Sequence, residues 1–88
     1  MSFFSNLFGA NYDDEQLVAQ ATKSIAADPL IGDPSSLVVT SKKGVITLGG
    51  IVPKEQEMNR IADVVRNALI NAGLKHERLV NELKLAHR

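Results

Sequence analysis

Eighty-eight residues leave room for one domain, and ten Lys/Arg against ten Asp/Glu leave no net charge. That balance lacks the positive field of a nucleic-acid binder, and the absence of cysteine excludes disulfides and thiolate chemistry. With 44% hydrophobic and 23% charged residues the composition is that of a soluble globular protein rather than a disordered tail. Its core is thin, because a chain of this size buries only roughly 60–65% of its unfolded surface.

The first residues, Met1 to Ala10, are uncharged and hold Phe3, Phe4, Leu7 and Phe8. At helical spacing these would share one face, but two turns are marginal in water, so the segment needs something to lie against. Residues 1–12 are therefore read as an apolar N-terminal segment, flexible or docking, and residues 13–88 as the folded domain. The apolar run is too short and broken for a secretory signal, and nothing later approaches a membrane span. The expected location is cytoplasmic and peripheral to a membrane, or periplasmic if the N-terminus has been trimmed.

Asp13-Asp14-Glu15-Gln16 carries the marks of a helix start, with Asp13 as N-cap and Gln16 three residues on. Leu17, Val18, Ala21 and Ile25 continue as a stripe of period 3.6, and Asp28-Pro29 closes the helix at 14–27. A loop with Gly32 and a second Asp-Pro pair leads to a strand, Leu37-Val38-Val39-Thr40. Ser41-Lys42-Lys43-Gly44 turns the chain into a second strand, through Val52. The two form an antiparallel hairpin, with Leu37 and Val39 on the same face as Ile46 and Leu48.

Pro53 suits the first position of a second helix, 54–72 and about 28 Å long. Its apolar stripe is Met58, Ile61, Ala62, Val65, Leu69 and Ala72, with Lys54, Arg60 and Arg66 off it. Gly73 is a left-handed stop and Leu74 its hydrophobic contact. Residues 78–85 alternate again and form a third strand, expected parallel to and beside the second, although an order with the first strand in the middle also fits. The fold class is α+β: a single small α-β-β-α-β domain, a three-stranded mixed sheet with two helices packed on one face.

Within this order the alternation Gly44-x-Ile46-x-Leu48-x-Gly50-x-Val52 is similar to the core motif of BON (bacterial OsmY and nodulation) domains. Asp28-Pro29-Leu30-Ile31 after the first helix and Val80-Asn81-Glu82-Leu83-Lys84-Leu85 at the end resemble two further elements of that family. The resemblance covers residues 14–86. One departure is the connection from Gly73 to Arg78, longer than the family's Gly-Val pair before its closing strand. Another is copy number: family members usually carry tandem copies or companion modules, and these 88 residues hold one copy without repeat.

The resemblance implies a non-enzymatic binding module for phospholipid membranes or other envelope components, in a setting of osmotic or envelope stress. A branch joined to a LysM module is associated with potassium binding and begins with a similar apolar segment. Potassium binding, or a protein–protein scaffold contact, is thus the alternative.

No set of nucleophile, base and oxyanion donor can be assembled from this sequence, so no enzyme and no cofactor are expected. An RNA-clamping module would need a Gly-x-x-Gly loop, which is missing. Candidate lipid contacts are the cations Lys54, Arg60 and Arg66 and the apolar Phe3, Phe4, Leu7 and Phe8; a solvated helix face and simple packing are the plain alternatives. Val38, Thr40, Val45, Thr47, Val80 and Lys84 form an open sheet face that could hold a protein partner or a weak homo-oligomer. Asp28 and Asp33 are too sparse for a calcium site and suit capping and turns, so no metal is expected. His76 and His87 lack partners at ligand spacing. Gly44, Ile46, Leu48, Gly50, Val52 and Asn81 are structural, with Gly50 expected to let a helix approach.

Overall fold

The computed structural model describes residues 12–86. Helix α1 (Asp14–Ala27) precedes a 3-10 turn (Pro34–Ser36) and strands β1 (Leu37–Lys42) and β2 (Val45–Val52). Helix α2 (Glu55–Asn71) then leads to β3 (Arg78–Asn81) and the two-residue β4 (Lys84–Leu85). The fold is α+β, with β2 at the centre of a mixed sheet. β1 pairs with it antiparallel, and β3 and β4 both pair parallel along its other edge. The alternative order with β1 in the middle is excluded. The central position follows from composition: β2 is the longest β-branched alternating run, and only a strand paired on both sides can use all of it.

Helix α1 forms where the caps predict. The Asp13 carboxylate accepts the Gln16 N–H at 3.1 Å, and Asp28, extended at φ −87°, ends the helix before Pro29. Helix α2 ends in a Schellman motif, with Gly73 at φ +71°, Gly73 N–H donating to Ile70 O at 3.0 Å and Leu74 N–H to Leu69 O at 2.9 Å. Its start differs from expectation. Lys54 is the extended N-cap (φ −136°) and Pro53 precedes it. Proline lacks the N–H that would continue the ladder beyond Val52, so it ends the strand instead of opening the helix.

Both helices cover one face. Leu17, Ala21 and Ile25 of α1, Ile61, Ala62, Val65 and Leu69 of α2, and Ile46, Leu48 and Val52 of β2 form a single buried cluster, closed at its ends by Ile31 and Leu83. Leu37 and Val39 pack against it, as their parity requires.

Three further details depart from the sequence reading. β1 continues to Lys42, leaving a two-residue turn in which both Lys43 (φ +52°) and Gly44 (φ +83°) have the positive φ of a type I′ hairpin. The third strand is interrupted at Glu82-Leu83 although its register against β2 is unbroken, Val45 facing Arg78 and Val52 facing Leu85. Asn81 bridges the interruption: its Oδ1 accepts the Leu83 N–H at 3.1 Å while its Nδ2 donates to Met58 O of α2 at 3.2 Å.

Finally, it is the 3-10 turn and the first residue of β1, not α1 or α2, that come closest to Gly50. Its backbone (φ +121°) lies against the start of β1, where an added Cβ would stand 2.3 Å from Ser36 O and 3.0 Å from Leu37 Cα. The Ser36 hydroxyl donates to Ile51 O at 3.1 Å across the same contact.

Candidate binding surfaces

The hairpin turn is fixed from outside by α1. Asp14 Oδ1 accepts the Ser41 hydroxyl at 2.7 Å and the Gly44 N–H at 3.0 Å, and Oδ2 accepts the Lys43 N–H at 2.9 Å. The Tyr12 ring covers Gly44 so closely that a Cβ there would lie 2.5 Å from Cγ, and its hydroxyl donates to the Glu77 carboxylate. Gly44 O in turn accepts the Glu77 N–H at 2.7 Å, just where β3 begins. One corner thus sets the ends of β1, β2 and β3, and with them Lys42, Val45 and Arg78.

These bonds hold the Asp14 carboxyl below its ordinary 3.8, first through Ser41 and then through Gly44, with Lys43 adding to them. A lowered folded-state pKa means the stabilisation is complete above the unfolded value and is lost as pH falls through the folded one. Asp14→Ala should therefore cost about 1–3 kcal/mol near neutral pH. The gap to the native chain should narrow at about pH 3. Urea unfolding at both pH values checks this, and a gap independent of pH would refute it.

Opposite the helices no element of the described residues covers the sheet. Register places Lys42, Val45 and Arg78 in one row across it, and Thr40, Thr47 and Val80 in the next. Val38 faces Gly49, and Ile51 faces Lys84. Val38 is 58% exposed and Ile51 57%. All six residues expected on this face are there together: Val38, Thr40, Val45, Thr47, Val80 and Lys84. Lys42, Arg78 and Ile51 join them, which the single-strand patterns did not single out as a group. Among the described residues none of Lys42, Arg78 and Lys84 stands in a salt bridge.

The α2 cations sit differently. Six residues along a helix is about 600°, so Arg60 and Arg66 point about 120° apart and do not share one face. Arg60 forms a fork on Asp28, Nε donating to Oδ2 and Nη2 to Oδ1, each at 3.1 Å. The Leu30 N–H, at 2.8 Å, and then Arg60 hold the Asp28 carboxyl below its usual range. Arg66 pairs with Asp63 at 3.0 Å. Lys54 stands at the N-cap, six residues before Arg60.

Around Arg60 the outer face of α2 forms a shallow polar depression with Gln56, Asn59, Asp63, Val64 and Asn67. A second, mostly apolar groove of about 320 Å³ runs between α1 and the start of β1, lined by Thr22, Ile25, Ala26, Pro34, Ser35, Leu37 and Val39. No local pattern marks this groove, because its two walls are brought together only by the loop from Asp28 to Ser36.

Phe3, Phe4, Leu7 and Phe8 lie outside the described residues, as does His87. Asp33 accepts the Ser35 hydroxyl at 2.7 Å, and Asp28 is engaged with Leu30 and Arg60, so both serve turns. Among the described residues no three of His, Cys, Asp or Glu converge as metal ligands. No described helix is long and apolar enough to cross a membrane.

The family model of the BON domain matches residues 13–72, from the N-cap of α1 to the C-cap of α2. The chain belongs to the BON domain family. The match spans both helices and the hairpin with its Gly44-to-Val52 motif, while β3 and β4 fall beyond it. Membership of this family of binding modules supports a non-enzymatic binding role. No curated protein matches the chain.

Proposed function

We propose that this BON domain is a binding module for a phospholipid membrane surface. The observation that carries the reading is the two-layer arrangement. Both helices lie on one side of the sheet, so the other side keeps Val38 and Ile51 more than half exposed with no element of the described chain over them. Small β-branched side chains on a flat face suit shallow contact with a lipid headgroup layer. Phe3, Phe4, Leu7 and Phe8 are further proposed contacts, as an inserting segment. Of the α2 cations Lys54, Arg60 and Arg66, the two arginines are already paired with Asp28 and Asp63, and the three are not assigned to the site.

Flotation of the full chain with phosphatidylglycerol vesicles and with phosphatidylcholine vesicles tests this. Binding to the first that weakens at about 0.5 M salt is the expected result. Absence from both vesicle fractions would sink the reading. In the same assay, deletion of residues 1–10 should weaken binding if the N-terminal segment contributes, and unchanged binding removes that segment from the proposal. A protein partner or self-association is the competing occupant of the open face. It is favoured if the chain ignores vesicles and sediments as a dimer.

A further inference from the structure

We propose that the outer face of the sheet is the membrane-contacting surface, with Lys42, Arg78 and Lys84 as its headgroup-binding cations and Val38 and Ile51 as its apolar contacts. This rests on the phospholipid reading above and assigns the site within it. Charge carries the argument. The whole chain balances ten cations against ten acids, yet the outward positions of the sheet hold three cations and, continuing the outward parity of β3, one acid, Glu82. Lys43, in the exposed hairpin turn beside Lys42, adds a positive group at that end, where the Asp14 and Glu77 carboxylates are held by the turn and by Tyr12.

Spacing makes the surface planar rather than pocketed. Lys42 and Arg78 lie on strands either side of β2, about 10 Å apart, and Lys84 stands six residues along from Arg78, about 20 Å away. Val45, Thr47, Val80 and the flat backbone at Gly49 fill the space between them. Both described depressions, on α2 and between α1 and β1, lie off this face.

Cations dispersed around a flat patch of valine, isoleucine and threonine match a laterally mobile array of anionic headgroups, which needs no fixed partner geometry. Among the described residues the face has no aromatic platform for nucleobases and no aromatic anchor of the kind that dominates protein interfaces. The α2 cations are less suited. Arg60 and Arg66 would carry Asp28 and Asp63 to the bilayer with them, and Glu55 and Glu57 open the same helix.

The test compares Lys42→Glu/Arg78→Glu/Lys84→Glu with Lys54→Glu/Arg60→Glu/Arg66→Glu in the full chain, on phosphatidylglycerol/phosphatidylcholine vesicles. The sheet-face variant should lose at least about tenfold in vesicle affinity, and the helix variant should stay within about threefold of the native chain. A neutral triple, each of Lys42, Arg78 and Lys84 changed to Gln, should fall between; urea unfolding identifies any loss due to misfolding. The chain contains no tryptophan, so Ile51→Trp provides a local reporter. Its emission should shift to the blue with anionic vesicles and be quenched by brominated lipid.

Native binding that survives both sheet-face triples, or an indole at position 51 blind to vesicles, overturns this assignment and leaves the phospholipid reading standing. A native chain that binds no vesicle overturns both. Loss of binding in the helix variant alone moves the site to α2 and also refutes the proposal.

Discussion

Gly50→Ala is expected to lower the stability of this domain by about 2–4 kcal/mol, whereas Gly49→Ala should change it by less than about 1 kcal/mol. The two glycines are adjacent in the central strand and indistinguishable by composition. At Gly50 a methyl group meets two obstacles. The backbone holds φ at +121°, which L-residues rarely adopt, and the nearest atom is a backbone carbonyl oxygen, Ser36 O, 2.3 Å away. That oxygen cannot turn aside as a side chain could. It belongs to the 3-10 turn that introduces β1, and Ser36 is itself bonded to Ile51 O. At Gly49 the nearest atom to a Cβ is Val38 O at 4.0 Å, in open contact. Urea titration of both variants, read at constant m-value, checks the contrast. Equal losses would show that the close approach to Ser36 is not what Gly50 provides.

Leu48→Ala should cost about 3–5 kcal/mol, against about 0.5 kcal/mol or less for Val38→Ala on the opposite face. Leu48 is 1% exposed at the middle of β2, in the one cluster shared by both helices, so truncation leaves a cavity that both layers would have to close. A domain of this length is stable by only about 4–13 kcal/mol, so the loss takes a large share of the total. Thermal unfolding followed by circular dichroism suits the comparison. Val38→Ala should still unfold cooperatively near the native temperature, while Leu48→Ala should fall by well over about 10 °C. If the two variants prove similar, the assignment of an inner and an outer sheet face is wrong.

Much of this architecture was legible in the chain. Helix α1 was bounded correctly at both ends because its signals are local: an Asp N-cap, an apolar stripe and an Asp-Pro stop, all within Asp13–Pro29. The C-terminus of α2 was legible for the same reason, since Gly73 and Leu74 complete the Schellman motif within one turn. The start of α2 was not. Pro53 is compatible both with ending a strand and with opening a helix, and pairing of Val52 with Leu85, thirty-three residues on, selected the first. Gly50 failed for a related reason: a glycine in a strand signals close approach but not by what.

The candidate surface divides along the same line. Periodicity alone could show that Lys54, Arg60 and Arg66 stand off an apolar stripe. It could not show that Arg60 is held by Asp28, thirty-two residues away, or that Lys42 and Arg78 belong to one row with Val45.

Spacings of two to four residues and short motifs suffice to specify the helices, the alternating strands, the α+β class and the family. The strand order, the partner of Gly50 and the set of cations on the open face emerge only once the chain is folded. Those depend on register between segments remote in the chain, set by the shared burial of Ile46, Leu48 and Val52 and by the corner that Asp14 and Tyr12 build over Gly44.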